Sequence, residues 1–323
     1  MTDIAIDFGG SNIKMGLVRE GAVLCRMSLP ARSEWGLKVR LSDVRRCVDR
    51  MLAESRLRLS DCSGIAVAMP GIVDAHDGRV LAINAKYSDA LEFDFNRWAD
   101  AEFGLPFLME NDARAALAGE WLYGAAQGEN DAVLAIFGTG IGSAALVEGR
   151  LLRGRHHQAG ILGGHMITDA HGNLCTCGNR GCVEAMASHA VLAKLLGKLD
   201  GYRDSLLAKE KETGYLPVIK AAAAGDRLAQ QLLNELIIHW SAGIVNLIHA
   251  YDPSVVILSG GLMKSADVLL PRIEAAVKRH AWTPWGEIRF AVAEDPDSSV
   301  LLGLSGLLRK RCGEQTEGDD HEI

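Results

Sequence analysis

Two stretches of this chain are built alike. "IAIDFGGSNIKMGLV" runs from Ile4 to Val18, and "VLAIFGTGIGSAALV" runs from Val133 to Val147. Each is an apolar run broken by a glycine cluster with a hydroxyl residue beside it, followed by a second apolar run. A short apolar run of this length reads as a buried strand, and glycine admits the backbone angles that a tight bend needs. Two copies of one bend point to an internally duplicated α/β protein with a cleft between its halves, the break falling near residues 113 to 130.

The rest of the chain alternates strands and helices, as an α/β protein requires. Residues 4 to 7, 14 to 18 and 22 to 27 form an opening meander. "LSDVRRCVDRMLAESRL" then places Val44, Cys47, Val48, Met51 and Leu52 at helical spacing, with arginines on the other face. "SGIAVAMPGIVD" is a buried strand ended by Pro70-Gly71, "LPFLMEND" is another, and "ARAALAGEWLYGAA" is rich in helix formers. A loop-rich stretch from Gly149 to Cys182 precedes helices through about residue 250, and "DPSVVILSGGLM" is a further buried strand ending in a glycine pair. Residues 1–115 are therefore expected as an N-terminal lobe and 116–312 as a C-terminal lobe whose last helix packs back on the first. Residues 313–323, "GEQTEGDDHEI", are expected as a disordered acidic tail.

Bulk properties exclude several function classes. The formal net charge of −7 argues against a nucleic-acid binder, which needs clustered Lys and Arg; Arg153, Arg155, His156 and His157 are too few. With "MTD" leading straight into a strand, no targeting segment is expected. The most apolar window, Asp131 to Glu148, is broken by glycines and too short for a membrane span of ~20 residues. Seven cysteines in a chain of 323 residues are an odd number and no secreted disulfide framework, so a reducing cytoplasm is expected.

The glycine clusters are Gly9, Gly10 and Ser11; Gly138, Thr139, Gly140 and Gly142; and Ser259, Gly260 and Gly261. Each directly follows an apolar strand, so consecutive backbone N–H groups can converge on an anion, and three such clusters suggest a polyphosphate cradle. A P-loop is absent: the one Gly-Lys pair, Gly197-Lys198, is followed by Leu199. "GTGIGS" misses the dinucleotide fingerprint because Ser143 stands at its last glycine and a strand follows rather than a helix. Asp7 precedes the first cluster directly; a carboxylate beside phosphate needs a cation between them, which suggests Mg²⁺. Asp112 stands at a strand-to-helix junction, where it can cap the helix, accept the proton of an attacking hydroxyl, or both.

"HMITDAHGNLCTCGNRGC" carries His165, Cys175, Cys177 and Cys182, three thiolates and an imidazole, the closed tetrahedral set of a structural Zn²⁺ site. His171 is an alternative fourth ligand. His239 and His249 read as packing or surface residues.

Taken together, "DFGGSNIKMG", "PGIVD", "ENDARAALAGE", "FGTGIG", "GHM", "CTCGNRGCVEA" and "DPSVVILSGG" resemble, in order, the signatures of the ROK (repressor, open reading frame, kinase) sugar kinases across about residues 3 to 308. The resemblance implies the duplicated ribonuclease H-like fold of actin and the sugar kinases. It also implies ATP-dependent phosphorylation of a hexose or N-acetylhexosamine, usually at the 6-hydroxyl, often in a homodimer. Asp112 would be the base, with Asn84, Asn111, His165 and Glu184 as sugar contacts. Asp7, Gly9, Gly10, Ser11, Lys14, Gly138, Thr139, Gly140, Gly260 and Gly261 would surround Mg-ATP. One departure stands out: many members carry a sugar-binding Glu where Leu162 stands here, which points away from plain glucose specificity. The family also holds repressors with a DNA-binding segment ahead of the kinase-like part; with the first bend at residue 7, no such segment is expected here. A sugar sensor without catalysis is a second alternative, although such a protein is expected to have lost Asp7 or Asp112, and an ATP hydrolase of the same fold is a third.

Overall fold

The structure, a computed structural model, describes residues 1–84, 86–197, 199–210 and 213–318. It divides into two compact units: Met1–Gly128 with Arg153–Gln158 and the chain from Glu294 onward, and Glu129–Leu152 with Ala159–Ala293.

In the first unit the strands are β1 (Thr2–Phe8), β2 (Asn12–Arg19), β3 (Ala22–Pro30), β4 (Cys62–Met69), the short hairpin β5 (Ile72–Asp74) and β6 (Arg79–Ala82), and β7 (Phe107–Asn111). The helices are α1 (Lys38–Glu54), α2 (Phe95–Phe103) and α3 (Asp112–Tyr123). The sheet order is β3-β2-β1-β4-β7: β1 and β3 flank β2 antiparallel, while β4 lies parallel to β1 and β7 parallel to β4. Every residue of β1 is buried, as expected of a central strand covered on both faces, whereas the edge strand β3 alternates exposed and half-buried as far as the buried Leu29. On α1 the predicted stripe Val44, Val48, Met51 and Leu52 is buried against this sheet, with Cys47 beside it.

In the second unit the strands are β8 (Ala132–Phe137), β9 (Ile141–Val147), β10 (Arg150–Leu151), β11 (Val255–Ser259) and β12 (Arg289–Val292). Their order, β10-β9-β8-β11-β12, and their directions repeat those of the first sheet: an antiparallel meander, then two parallel neighbours. The helices are α4 (Val183–Ala187), α5 (His189–Leu196), α6 (Tyr215–Ala223), the long α7 (Arg227–Tyr251) and α8 (Ala266–His280). The core is built around Trp240 of α7. Its ring meets Phe137 and Tyr215 edge to face at 5.8 and 5.4 Å, and its indole N–H donates to the Ala187 carbonyl at 2.9 Å. The matching topologies make this a duplicated fold of the ribonuclease H-like kind. Among the described residues no helix is long and apolar enough to cross a membrane.

The final helix, α9 (Pro296–Gly318), belongs to the first unit. It packs on α3 so closely that a Cβ on Gly119 would sit 1.9 Å from the Ser299 carbonyl, and one on Gly303 1.8 Å from that of Ala115. Ser305 Oγ and Arg309 Nε both donate to the buried Asp3 Oδ2, at 2.5 and 2.9 Å, tying α9 to β1. Two expectations are corrected. The first unit runs on to Gly128 rather than stopping at residue 115, because α3 and the turn after it pack within this unit. The helix continues through residues 313–318 of the stretch read as a disordered tail, where Glu314, Gln315 and Glu317 are adequate helix formers. Residues 319–323 of that stretch lie outside the described residues.

Candidate active site

The first glycine turn joins β1 to β2 and is held by two loops. The Tyr87 hydroxyl donates to the Gly9 carbonyl at 2.9 Å, Ser33 Oγ to the Gly10 carbonyl at 3.2 Å, and the Ala31 amide to the Ser11 carbonyl at 2.9 Å. The Tyr87 amide in turn donates to the Ser33 carbonyl at 2.8 Å, so the two loops also hold each other. Gly9 is required by crowding: a Cβ there would lie 2.7 Å from the Asn12 carbonyl oxygen. Ser11 itself is exposed.

Asp7, opposite Lys14 in the β1–β2 register, is buried at the end of β1. Its Oδ2 is 4.0 Å from Lys14 Nζ, and its Oδ1 finds no hydrogen-bond donor among the described residues. Burial pushes its carboxyl up to about 7; the Lys14 ammonium pulls the other way, and the charges of Asp112 and Asp297 push it further up. Lys14 pairs more closely with Asp297 of α9, at 2.7 Å. A buried carboxylate oxygen without a donor is what a divalent cation would satisfy, so the residues present fit Mg²⁺ here.

Asp112 opens α3, but it is Asn111 that caps the helix, accepting from the Arg114 amide at 3.1 Å. Asn111 Nδ2 donates to the Gly71 carbonyl at 2.9 Å and to Asp112 Oδ1 at 3.0 Å, and the Ala113 amide donates to the same Oδ1 at 2.9 Å. Asp112 is thus freed from capping, held by one oxygen, and without a hydrogen bond on Oδ2 among the described residues. Burial raises its pKa against the pull of the Ala113 amide and the Lys86 charge. Asn84, at a bend after β6, is exposed.

Under the start of α3 lies an ionic cluster that sequence reading missed. Buried Glu110 pairs with buried Arg114 at 3.5 Å and with Arg153; Arg114 also donates to the His157 carbonyl at 2.8 Å. These bonds fasten residues 153–158 to the first unit. No motif announces them, since the partners are about 40 residues apart in sequence.

In the second unit Gly138, Thr139 and Gly140 turn between β8 and β9, with the Gly138 amide donating to the Gly140 carbonyl at 3.0 Å. Gly260, directly after β11, has φ +95°, and a Cβ there would lie 2.4 Å from the Phe137 carbonyl oxygen. The second and third glycine clusters are therefore brought together, and a Cβ on Gly261 would meet nothing within 4 Å among the described residues. Glu184 accepts from the Ile141 amide at 2.9 Å, and its carboxylate fills the space a Cβ at Gly140 would take.

His165 ends a turn, Gly163–His165, that packs against β9; a Cβ on Gly164 would overlap the Ile141 carbonyl at 1.9 Å. Ligand atoms of His165, Cys175, Cys177 and Cys182 all lie within 4.8 Å of one another, with His165 Nδ1 3.5 Å from Cys175 Sγ. The Cys182 thiol is pushed up to about 12 by burial and by its thiol neighbours. At Cys177 burial acts in the same sense, but hydrogen bonds from the Asn179 backbone and the adjacent thiols outweigh it and lower the pKa. Three crowded thiols, completed by an imidazole, fit a tetrahedral Zn²⁺ set. His171, the alternative ligand, lies exposed outside this group. His239 is half-buried and 3.0 Å from Thr168 Oγ1, and His249 Nε2 accepts from the Trp282 amide at 2.9 Å. Leu162, at the position of the departure, is 39% exposed.

The chain is 26% identical to a glucokinase of Halalkalibacterium halodurans, over 99% of this chain and 98% of that protein. It is 30% identical to the xylose repressor of Bacillus spizizenii over 69% of this chain, spanning 54% of the repressor. A ROK family glucokinase from Streptomyces griseus, solved with glucose and AMPPNP, superposes with a TM-score of 0.77 at 26% identity, covering 96% of this chain and all of that one. The sequence model of the ROK family matches residues 3–311, and the chain belongs to that family.

Proposed function

We propose that this protein is an ATP-dependent kinase that phosphorylates a hexose or N-acetylhexosamine at its 6-hydroxyl. The observation that carries the reading is Asp112. Its carboxylate is fixed through Oδ1 by Asn111 and Ala113, has no hydrogen bond on Oδ2 among the described residues, and has a pKa raised by burial, the direction that favours taking up a proton. Asp112 orients the attacking hydroxyl and takes its proton as the new O–P bond forms and the γ-phosphoryl leaves ADP. Positioning supplies most of the rate in such a step, so the fixed geometry of Asp112 matters more than its basicity.

Asp7 and Lys14 would hold Mg²⁺ and phosphate near the first turn, Asp7 through the oxygen that lacks a donor. The cation supplies neutralisation of charge on the phosphate oxygens. The glycines at 9, 10, 138, 140, 260 and 261, with Ser11 and Thr139, offer backbone amides to the nucleotide. Asn84, Asn111, His165 and Glu184 are assigned to the sugar. Asn111 and Glu184 keep their present hydrogen bonds in that role, Asn111 by presenting Asp112 and Glu184 by fixing the 140 turn. His165, Cys175, Cys177 and Cys182 would hold a structural Zn²⁺ with no open position for catalytic water. The odd number of cysteines suits a reducing cytoplasm, and membership of the family suits a homodimer.

A second reading, a sugar-responsive regulator without turnover, draws on the similarity to the xylose repressor. One assay separates the two: ADP formation measured across glucose, fructose, mannose, allose, N-acetylglucosamine, N-acetylmannosamine and a β-glucoside. Turnover that depends on one of these sugars is expected, and Leu162 leads us to expect an amino sugar ahead of glucose. Phosphate release independent of any sugar would mean an ATP hydrolase. Sugar-induced thermal stabilisation with no ADP at all would favour the regulator.

A further inference from the structure

The kinase reading leaves one cation without a task. Lys86 lies in the loop after β6, and its side chain runs flat across the first glycine turn: a Cβ built on Gly10 would meet Lys86 Nζ at 2.6 Å, Cε at 2.7 Å and Cδ at 3.2 Å. Among the described residues its ammonium has neither ion pair nor hydrogen bond, although its charge acts on the Asp112 carboxylate. An unpaired lysine is common on an open surface, but Lys86 is half-buried.

Its backbone is also unusually constrained. The next residue, Tyr87, is fully buried in the left-handed region at φ 44°, ψ 50°, a conformation unfavourable for an aromatic residue unless its surroundings enforce it. The Tyr87 hydroxyl on Gly9, its amide on Ser33 and the edge-to-face contact with Phe8 at 5.9 Å enforce it. The strain fixes the direction in which residue 86 leaves the loop. It sends an ammonium over the phosphate-binding turn and toward the base.

We propose that Lys86 is a phosphoryl-binding residue of the transfer reaction, donating from Nζ to the oxygens of the migrating γ-phosphoryl group beside Gly10 and Asp112. It gives up no proton. The acceptor's proton goes to Asp112, the bond from the β-γ bridging oxygen to phosphorus breaks, and Lys86 offsets negative charge on the oxygens between the two partners. Lysine suits this role as a compact, strongly donating point charge. The small Gly10 is then needed for a reason beyond its turn: a side chain there displaces the ammonium.

The proposal rests on the kinase reading, and two measurements keep them apart. In sugar-dependent turnover, Lys86→Met lowers kcat by ~10² or more with the sugar KM within about threefold, and Lys86→Arg restores part of the loss. Gly10→Ala reproduces the Lys86→Met defect in kcat. In equilibrium binding, which needs no turnover, wild type prefers AMPPNP over ADP and Lys86→Met loses that preference while binding ADP as before. Wild type that turns over no sugar, with the AMPPNP preference lost in Lys86→Met, would defeat the kinase reading and leave Lys86 as a γ-phosphate ligand. A Lys86→Met protein with kcat within about threefold of wild type, or with its AMPPNP preference intact, overturns the proposal.

Discussion

The two glycine turns sit at equivalent places in two sheets of the same order, and their surroundings differ in kind. In the first sheet the pair flanking the turn is Asp7 and Lys14; in the second, the pair at the same register is Ile136 and Gly142. The first turn carries a buried carboxylate, an ammonium and, nearby, Asp112 and Lys86. The second carries no charge in its strand pair and is braced from outside by Glu184 and by Gly260 packed on Phe137. Duplication thus copied the backbone bend and not the chemistry. Under the proposed function, one turn would bind phosphate through amides alone, while the other would also bring the acids a transfer reaction requires.

The sharpest way to break this comparison acts on the second unit alone. Cys177→Ser is expected to remove about one zinc per chain and to lower the melting temperature by ~10 °C or more, since a structural zinc contributes folding energy directly. Amide exchange should quicken in α4 and its neighbours while β1 keeps its protection. Metal-free protein with unchanged melting would remove the zinc assignment.

Next in size is Asp7. Its folded-state pKa, about 7, lies above the ordinary 3.8, so the folded chain holds that proton more tightly than the unfolded one. The associated stability is complete below pH 3.8 and is lost as pH rises to about 7. Asp7→Asn is therefore expected to raise the melting temperature of the metal-free protein at about pH 7.5 by several degrees more than at about pH 4. It should also lower turnover by ~10² or more. An equal shift at both pH values would mean that the carboxylate is not held uncompensated. No such trade is expected at Ile136.

The smallest effect separates two adjacent glycines of the third cluster. Gly260→Ala is expected to cost ~1–3 kcal/mol, from its positive φ and its approach to Phe137. Gly261→Ala, with nothing within 4 Å, should change stability by less than about 0.5 kcal/mol in chemical denaturation. Similar losses at both would show that the conformation of Gly260 is not what joins the clusters.

Much of this was legible before any coordinates. The repeated bend pointed to the duplication, the apolar stripe of α1 and the strand β11 lie where periodicity put them, and spacing grouped Cys175, Cys177 and Cys182 with a histidine, His165 or His171, of which the geometry selects His165. What escaped depends on distance along the chain. Residues 153–158 join the first unit through Glu110 and Arg114, remote partners that leave no local pattern. Lys86 escaped because its position is set by the strained Tyr87, and a left-handed tyrosine is not written in "NAKYSD". Asp112 was open to a capping role, and only the geometry of Asn111 shows that the neighbour took it.

The central claim, that chemistry resides in the acids of the first unit, is tested most directly by sugar-dependent ADP formation in Asp112→Asn, alongside calorimetric sugar binding. The account predicts a fall of ~10³ or more in turnover with sugar binding still measurable. Turnover within about tenfold of wild type would contradict it.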